Sequence, residues 1–221
     1  IGKSTLVGSS KAIAALLGKV SDGDPEVRRA AIRGLVRLSP AADPAVISAI
    51  CSRLDDTDAS VRNAAVRGVV TAVETRGDPA ALEGTFAKAS CPLPGGRLAA
   101  VEVLGKIAAR GDLRVLKTLQ RYVEGTDAEM VRVASAAFAD VVDPATASDM
   151  LQYSQKAPLR LAAMDGLVAA ARAGDMAAEY AVRLHSTDDD QEVQARAAAF
   201  IEVQPEVPAE QVLLTEIPVA T

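Results

Sequence analysis

Apolar residues recur at helical spacing along most of this chain, most clearly between Asp22 and Leu38. Within that stretch the apolar and small residues fall at i, i+3, i+4, i+7 and i+8, which places them on one face of a helix. Asp24 is suited to cap the free backbone NH groups, and Pro25 to the first helical position, where a missing NH costs nothing. We therefore predict an amphipathic helix that begins at residue 25. Its buried face consists of Val27, Ala30, Ala31, Gly34, Leu35 and Leu38.

Versions of this stretch return five more times. The second copy shifts nearly every position by 34 residues, so that Val61, Ala64 and Gly68 repeat Val27, Ala30 and Gly34. One arginine marks each copy, at intervals of 28 to 36 residues. A period in the mid-thirties is typical of a helical solenoid. The marker arginines are Arg28, Arg62, Arg97, Arg132, Arg160 and Arg196.

A second amphipathic segment precedes each copy, as at residues 12–20 and 46–54, so each unit is predicted to be a helical hairpin. We expect Leu35 and Leu167 to be buried between helices and Arg33 to be exposed. The fold class is therefore all-α.

The predicted architecture is a right-handed α-solenoid of about six two-helix repeats over residues 10–203. Residues 1–9 form an N-terminal extension, and residues 204–221 an apolar, proline-containing C-terminal tail. We expect either that a short helix near residues 209–216 caps the last unit or that the tail lies on a partner.

The motif Asp-x-Asp-Pro-Glu-Val-Arg-x-Ala-Ala-x-x-Gly-Leu at residues 22–35 resembles the HEAT repeat, especially the short HEAT-like type also found in phycobilisome lyases. The resemblance extends over about residues 10–203. It implies that first helices form a convex surface and second helices a concave one, and that aspartate and arginine form a ladder between neighbouring units. The ladder positions are Asp22 with Arg28, Asp56 with Arg62, and Asp190 with Arg196.

The aspartate of this motif is absent from the middle of the chain. Its position holds Cys91 in unit three, Thr126 in unit four and Ser154 in unit five. We therefore expect the ladder to be broken there.

Composition narrows the classes of partner. The net charge is −5, both signs are interspersed and tryptophan is absent, so we expect no nucleic-acid partner. No apolar run approaches the roughly 18 to 20 residues of a membrane span, so we expect a soluble chain that does not span a membrane. The chain starts at Ile1, which indicates either a processed mature chain, as in an organelle, or a fragment. The sequence does not indicate the cellular compartment.

Residues for catalysis or for metal and cofactor binding are sparse. His185 is the only histidine and is expected to be structural, at the end of a first helix. We predict no catalytic residue, no cofactor and no metal site, because Cys-x-x-Cys and His-x-x-His spacings are absent. Cys51 is expected to be buried and Cys91 to be an exposed thiol in a loop. Gly2-Lys3-Ser4-Thr5 resembles the end of a phosphate-binding loop but lacks the strand and glycine before it.

The candidate partner-binding surface lies on the second helices. Arg29, Arg33 and Arg37 share one helix face at i, i+4 and i+8, and Arg67 continues it in the next unit. We expect this face to be either a merely solvated surface or a site for an acidic protein segment. The same face becomes mixed or acidic in units three to six, through Glu102, Lys106, Arg110, Asp140, Asp165 and Glu202.

These patterns favour a non-enzymatic scaffold that presents its concave surface to a partner protein within a larger assembly. Two alternatives stay open: an accessory module of a bilin lyase-like enzyme, and a fragment of a longer HEAT scaffold.

Overall fold

The computed structural model describes residues 10–203, which form twelve α-helices and, within that range, no strand. The helices pair into six hairpins, and the predicted all-α solenoid is confirmed. The first helices of the hairpins are α1 (Ser10–Lys19), α3 (Pro44–Cys51), α5 (Pro79–Ala89), α7 (Leu113–Val123), α9 (Pro144–Tyr153) and α11 (Met176–Leu184). The second helices are α2 (Pro25–Leu38), α4 (Ala59–Ala72), α6 (Pro94–Ile107), α8 (Ala128–Val141), α10 (Ala157–Arg172) and α12 (Gln191–Val203). The extension 1–9 and the tail 204–221 lie outside the described residues, so both assignments stay predictions.

Aspartates cap most of the helices at their N-termini. The Asp24 carboxylate accepts a hydrogen bond from the Glu26 backbone NH at 2.8 Å, and α2 begins at Pro25, as predicted. Side-chain caps of this kind satisfy NH groups that the first helical turn leaves free. The same role is played by Asp43, Asp58, Asp78, Asp112, Asp127, Asp143 and Asp175.

The turn inside hairpin three, which contains Cys91, is short. Helix α5 continues to Ala89, and α6 already begins at Pro94. Pro94 occupies the first helical turn, where its fixed φ fits and its missing NH is not needed. The connecting loop, residues 90–93, is therefore as short as that of hairpin four, residues 124–127.

The second helices form one continuous layer, because each packs against the next from α2 through to α12. The first helices lie along the other side, and the apolar core runs without a break from Val20 to Phe200. Leu35 and Leu167 are completely buried, as predicted, whereas Arg33 is exposed.

Small residues bring neighbouring second helices close together. A Cβ atom added to Gly105 in α6 would lie 2.6 Å from the Cα of Ala137 in α8. Only glycine fits at this distance, so the loss of helix propensity at Gly105 is offset by close packing.

Backbone hydrogen bonds also connect the hairpins at the C-terminal ends of the second helices. In each of the first three linkers, a residue with positive φ donates its NH to a carbonyl near the end of the next second helix. The bonds run from Ala42 to Ala72 (2.8 Å), from Gly77 to Ile107 (2.6 Å) and from Gly111 to Val141 (2.8 Å). Hairpins two to four are therefore joined through the backbone where the aspartate ladder is interrupted.

Candidate partner-binding surface

Arg33, Arg37 and Arg67 form an exposed basic surface on two adjacent second helices. Arg33 and Arg37 lie one turn apart on α2, and Arg67 has the same register in α4, nine residues after its N-cap, as Arg33 has in α2. Within residues 10–203 the three guanidinium groups make no hydrogen bond and no ion pair, and all three residues are exposed. We call these three residues the arginine patch.

Arg29, the fourth residue predicted for this surface, is placed differently. Its Nη2 forms an ion pair with the Glu26 carboxylate one turn earlier on α2, and its Nε is buried without a partner in the described structure. Its charge is partly compensated, so we leave Arg29 out of the arginine patch.

The surface changes character beyond α4. At the register of Arg33 and Arg67, α6 carries Glu102 and α10 carries Asp165. Glu102 is paired with Lys106 at 3.0 Å, and Asp165 accepts a hydrogen bond from Arg196 at 2.7 Å. The unpaired positive charge of this row is therefore concentrated at its N-terminal end.

The other predicted site residues form hydrogen bonds within the chain. Arg28 donates from Nε and Nη2 to the two carboxylate oxygens of Asp56, at 2.8 and 2.7 Å, and from Nη1 to the backbone carbonyl of Asp22. Arg62 donates to the backbone carbonyls of Asp56 and Thr57, at 2.8 and 3.0 Å. The arginine of one hairpin thus bonds the aspartate side chain of the next hairpin, and its own aspartate only through the backbone.

This arrangement corrects the pairing predicted for Asp190 and Arg196. Asp190 caps α12 through the Glu192 NH at 2.9 Å, whereas Arg196 reaches back to Asp165 in the preceding hairpin. The aspartate that completes a ladder contact here is Asp188, which accepts from Arg160 Nη2 at 2.5 Å. Arg196 lies six residues after Asp190, the cap of its helix, whereas Arg28 lies four residues after its cap, Asp24. The arginine of the last unit is therefore two residues out of register with that of the first.

Asp188 is the centre of a small polar cluster with Arg160 and His185. His185 Nδ1 lies 2.8 Å from the second carboxylate oxygen of Asp188. Burial raises the pKa of the Asp188 carboxyl, but bonds from the Asp190 NH, His185 and Arg160 together hold that pKa below its usual value. His185 is also the C-cap of α11, consistent with the structural role predicted for it.

Arg76 is a contact residue that the sequence patterns did not identify. It lies in the linker after α4, and its guanidinium donates to the carbonyls of Gly105 (2.5 Å) and Lys106 (3.1 Å) in α6 and of Asp140 (3.2 Å) in α8. One side chain therefore connects three consecutive hairpins. It belongs to none of the repeated motifs, so no periodic signal pointed to it.

The two cysteines are unlinked and both buried. Burial raises the pKa of the Cys51 thiol to about 11, and its Sγ faces Thr85 in the next first helix. Cys91 was expected to be an exposed thiol, but it is only 7% exposed, with Sγ 3.3 Å from the Leu93 carbonyl. The first turn of α6 packs against this thiol, because a Cβ atom added to Gly96 would lie 2.8 Å from Cys91 Sγ.

Two polar cavities lie at the ladder contacts. One, of about 640 Å³, borders Arg160, His185 and Asp188, and the other, of about 360 Å³, borders Arg28 and Asp56. Within the described part of the chain, no three His, Cys, Asp or Glu side chains converge to form a possible metal site. No helix of that part combines the length and the apolar character needed to cross a membrane.

One protein-family model matches the N-terminal part of the chain. Residues 2–70 match the HEAT-repeat family model. The resemblance noted from the motif at residues 22–35 is confirmed for this part of the chain, which includes the arginine patch.

The chain was also compared with curated proteins and with solved structures. No curated protein gives a significant sequence match. Two engineered proteins with crystal structures from the Northeast Structural Genomics Consortium are similar at 18% identity, with a TM-score of 0.47, over 86% of this chain and 95% and 97% of theirs. A third from the same source has 19% identity and a TM-score of 0.46 over 86% of this chain and 57% of its own.

Proposed function

We propose that this chain is a non-enzymatic protein-binding scaffold that holds an acidic segment of a partner protein on the surface of its second helices, within a larger assembly. The observation that carries the proposal is the arginine patch. Its three guanidinium groups have no partner among residues 10–203 and belong to the adjacent helices α2 and α4.

The spacing of the patch suits an extended acidic peptide. Packed helices lie about 8 to 10 Å apart. A peptide in the extended polyproline II conformation advances about 3.1 Å per residue with three residues per turn, so every third side chain lies on the same face, about 9 Å further along. Carboxylates on every third residue of a peptide could therefore meet Arg33 on α2 and Arg67 on α4 in turn. Charged contacts of this kind chiefly set specificity and encounter rate and are screened by salt.

The test is a binding titration with a labelled peptide that carries glutamate at every third position, compared with the same peptide carrying glutamine there. We expect the glutamate peptide to bind and its affinity to fall as salt is raised. The Arg33→Glu, Arg37→Glu, Arg67→Glu triple variant should abolish binding without loss of helical content, because these side chains make no core contact.

A matched triple variant controls for the change in total charge. Lys117, Lys156 and Arg172 are exposed basic residues away from the patch, and their change to glutamate alters the net charge equally. Binding that survives the patch variant, or that both variants weaken alike, would show that the patch is only a solvated face.

The two alternatives have no comparable support among residues 10–203. A role in a bilin lyase-like enzyme requires a pocket for the pigment, and the two cavities at the ladder contacts are lined mainly by polar and charged residues. Pigment absorbance that co-purifies with the chain would favour that role. A role as part of a longer HEAT scaffold is compatible with the same binding surface.

A further inference from the structure

Helix α11 presents an apolar stripe to solvent. Met176, Tyr180 and Leu184 recur every four residues along this short helix and are 61%, 62% and 60% exposed. A stripe of three large apolar side chains on one helix face normally packs against another element.

The stripe points toward the open C-terminal end of the solenoid. Glu83 lies five residues after the N-cap of α5 and contacts Arg114 of the following first helix, α7, at 2.7 Å. Tyr180 has the same register in α11, five residues after Asp175. Tyr180 therefore faces the place where the next first helix would pack.

Helix α12 ends the other layer differently. Eight residues after the N-cap, four of the earlier second helices carry a buried apolar side chain, whereas α12 carries Ala198, which is exposed. The buried equivalents are Ile32, Val66, Val101 and Met164. A terminal repeat normally closes a solenoid with a polar or small outer face. Helix α12 has such a face and α11 does not.

The chain itself supplies a matching segment. Residues 204–221 follow α12, as a first helix follows each earlier second helix, and they lie outside the described residues. Their sequence contains Ala209, Leu213 and Ile217 at the same four-residue spacing as the stripe. Linkers 39–43 and 108–112 carry the chain from a second helix to the next first helix, and residues 204–208 provide an equally long connection.

We propose that residues 209–217 pack on Met176, Tyr180 and Leu184 of α11 and close the C-terminal end of the solenoid through Leu213 and Ile217. This contact is separate from the arginine patch and does not depend on the proposed partner.

The test uses the full chain with a single fluorescent reporter. The chain has no tryptophan, so Tyr180→Trp places one indole in the stripe, and Lys117→Trp places one at the same register of α7 as an exposed reference. We expect acrylamide to quench the Tyr180→Trp reporter several-fold less than the Lys117→Trp reporter.

Tail variants then identify the covering residues. Adding Leu213→Glu and Ile217→Glu to the Tyr180→Trp chain should raise its quenching to that of the reference. Thr215→Glu adds a charge to the same segment off the proposed face and should leave the reporter protected. Circular dichroism checks that each variant keeps its helical content.

Three outcomes would overturn the proposal. The two reporters could be quenched equally in the chain with the unmodified tail. Thr215→Glu could expose the reporter as fully as the double change. Protection could also increase with protein concentration together with dimer formation, in which case a second copy covers the stripe.

Discussion

Arg28 and Asp56 join the first two hairpins through a two-point contact, with Nε and Nη2 of the guanidinium 2.8 and 2.7 Å from the two carboxylate oxygens. Only 11% of the Arg28 side chain and 3% of the Asp56 side chain is exposed, so little water competes for the pair. The hydrogen bonds to Asp56 raise the pKa of Arg28, against the effect of burial.

We predict that Arg28 and Asp56 are energetically coupled. In a double-mutant cycle of Arg28→Ala and Asp56→Ala, the coupling free energy should be about 1 to 3 kcal/mol, as for contacting residues in one hydrogen-bond network. Urea unfolding measures each step. Arg62→Ala is the matched control, because Arg62 bonds only carbonyl groups and should show no comparable coupling to Asp56. A coupling near zero would show that the pair does not stabilise the junction.

A second prediction concerns the close approach of α6 and α8. Gly105→Ala should lower the free energy of unfolding by about 1 to 3 kcal/mol, because the new Cβ would overlap the backbone of Ala137. Gly18→Ala in α1 is the control. No atom lies within 4 Å of the Cβ that it adds, and it should stabilise the helix by roughly 0.5 to 1 kcal/mol. Thermal unfolding of both variants checks the opposite signs.

A third prediction separates the observed burial of Cys91 from the exposed thiol that its loop suggested. Iodoacetamide should modify neither Cys51 nor Cys91 in the native chain, and both after unfolding in guanidinium, as counted by mass spectrometry. Burial protects both thiols, and the raised pKa of Cys51 further lowers its thiolate fraction. Rapid native labelling at Cys91 would mean that the loop before α6 opens readily.

The sequence predicted the repeated hairpins well because caps and apolar spacing are local signals. The sequence did not predict the side-chain contacts between hairpins, because these contacts depend on how each hairpin is aligned with the next. The period of the arginines points to Asp190, whereas Arg160 bonds Asp188 and Arg196 bonds Asp165 of the preceding hairpin. Arg76 could not be found at all, since its bonds go to backbone carbonyls, which any sequence provides.

A fourth prediction tests Arg76 as a connection between hairpins. Arg76→Ala should lower stability by about 1 kcal/mol, near the usual net value of an intramolecular hydrogen bond, because water reaches part of this site. Arg76→Lys should recover little of the loss, since one ammonium cannot reproduce the fork that meets three carbonyls. Arg110→Ala, at an exposed residue nearby, is the control and should be neutral in urea unfolding.

The last prediction concerns acid. The pKa of Asp188 is lower in the folded chain than its ordinary value of 3.8, so the unfolded state binds more protons in this range. The stability that comes from Asp188 is therefore fully present above about pH 4 and is lost as the pH falls through the folded-state pKa.

Asp188→Asn should lower the urea midpoint at neutral pH, because Arg160 and His185 lose their carboxylate. It should also make the further loss of stability in acid shallower than in the unmodified chain. Asp189→Asn, at the exposed neighbour, should leave the slope unchanged. Equal acid slopes for Asp188→Asn and the unmodified chain would mean that other carboxylates govern acid unfolding and that the Arg160, Asp188 and His185 cluster contributes little to it.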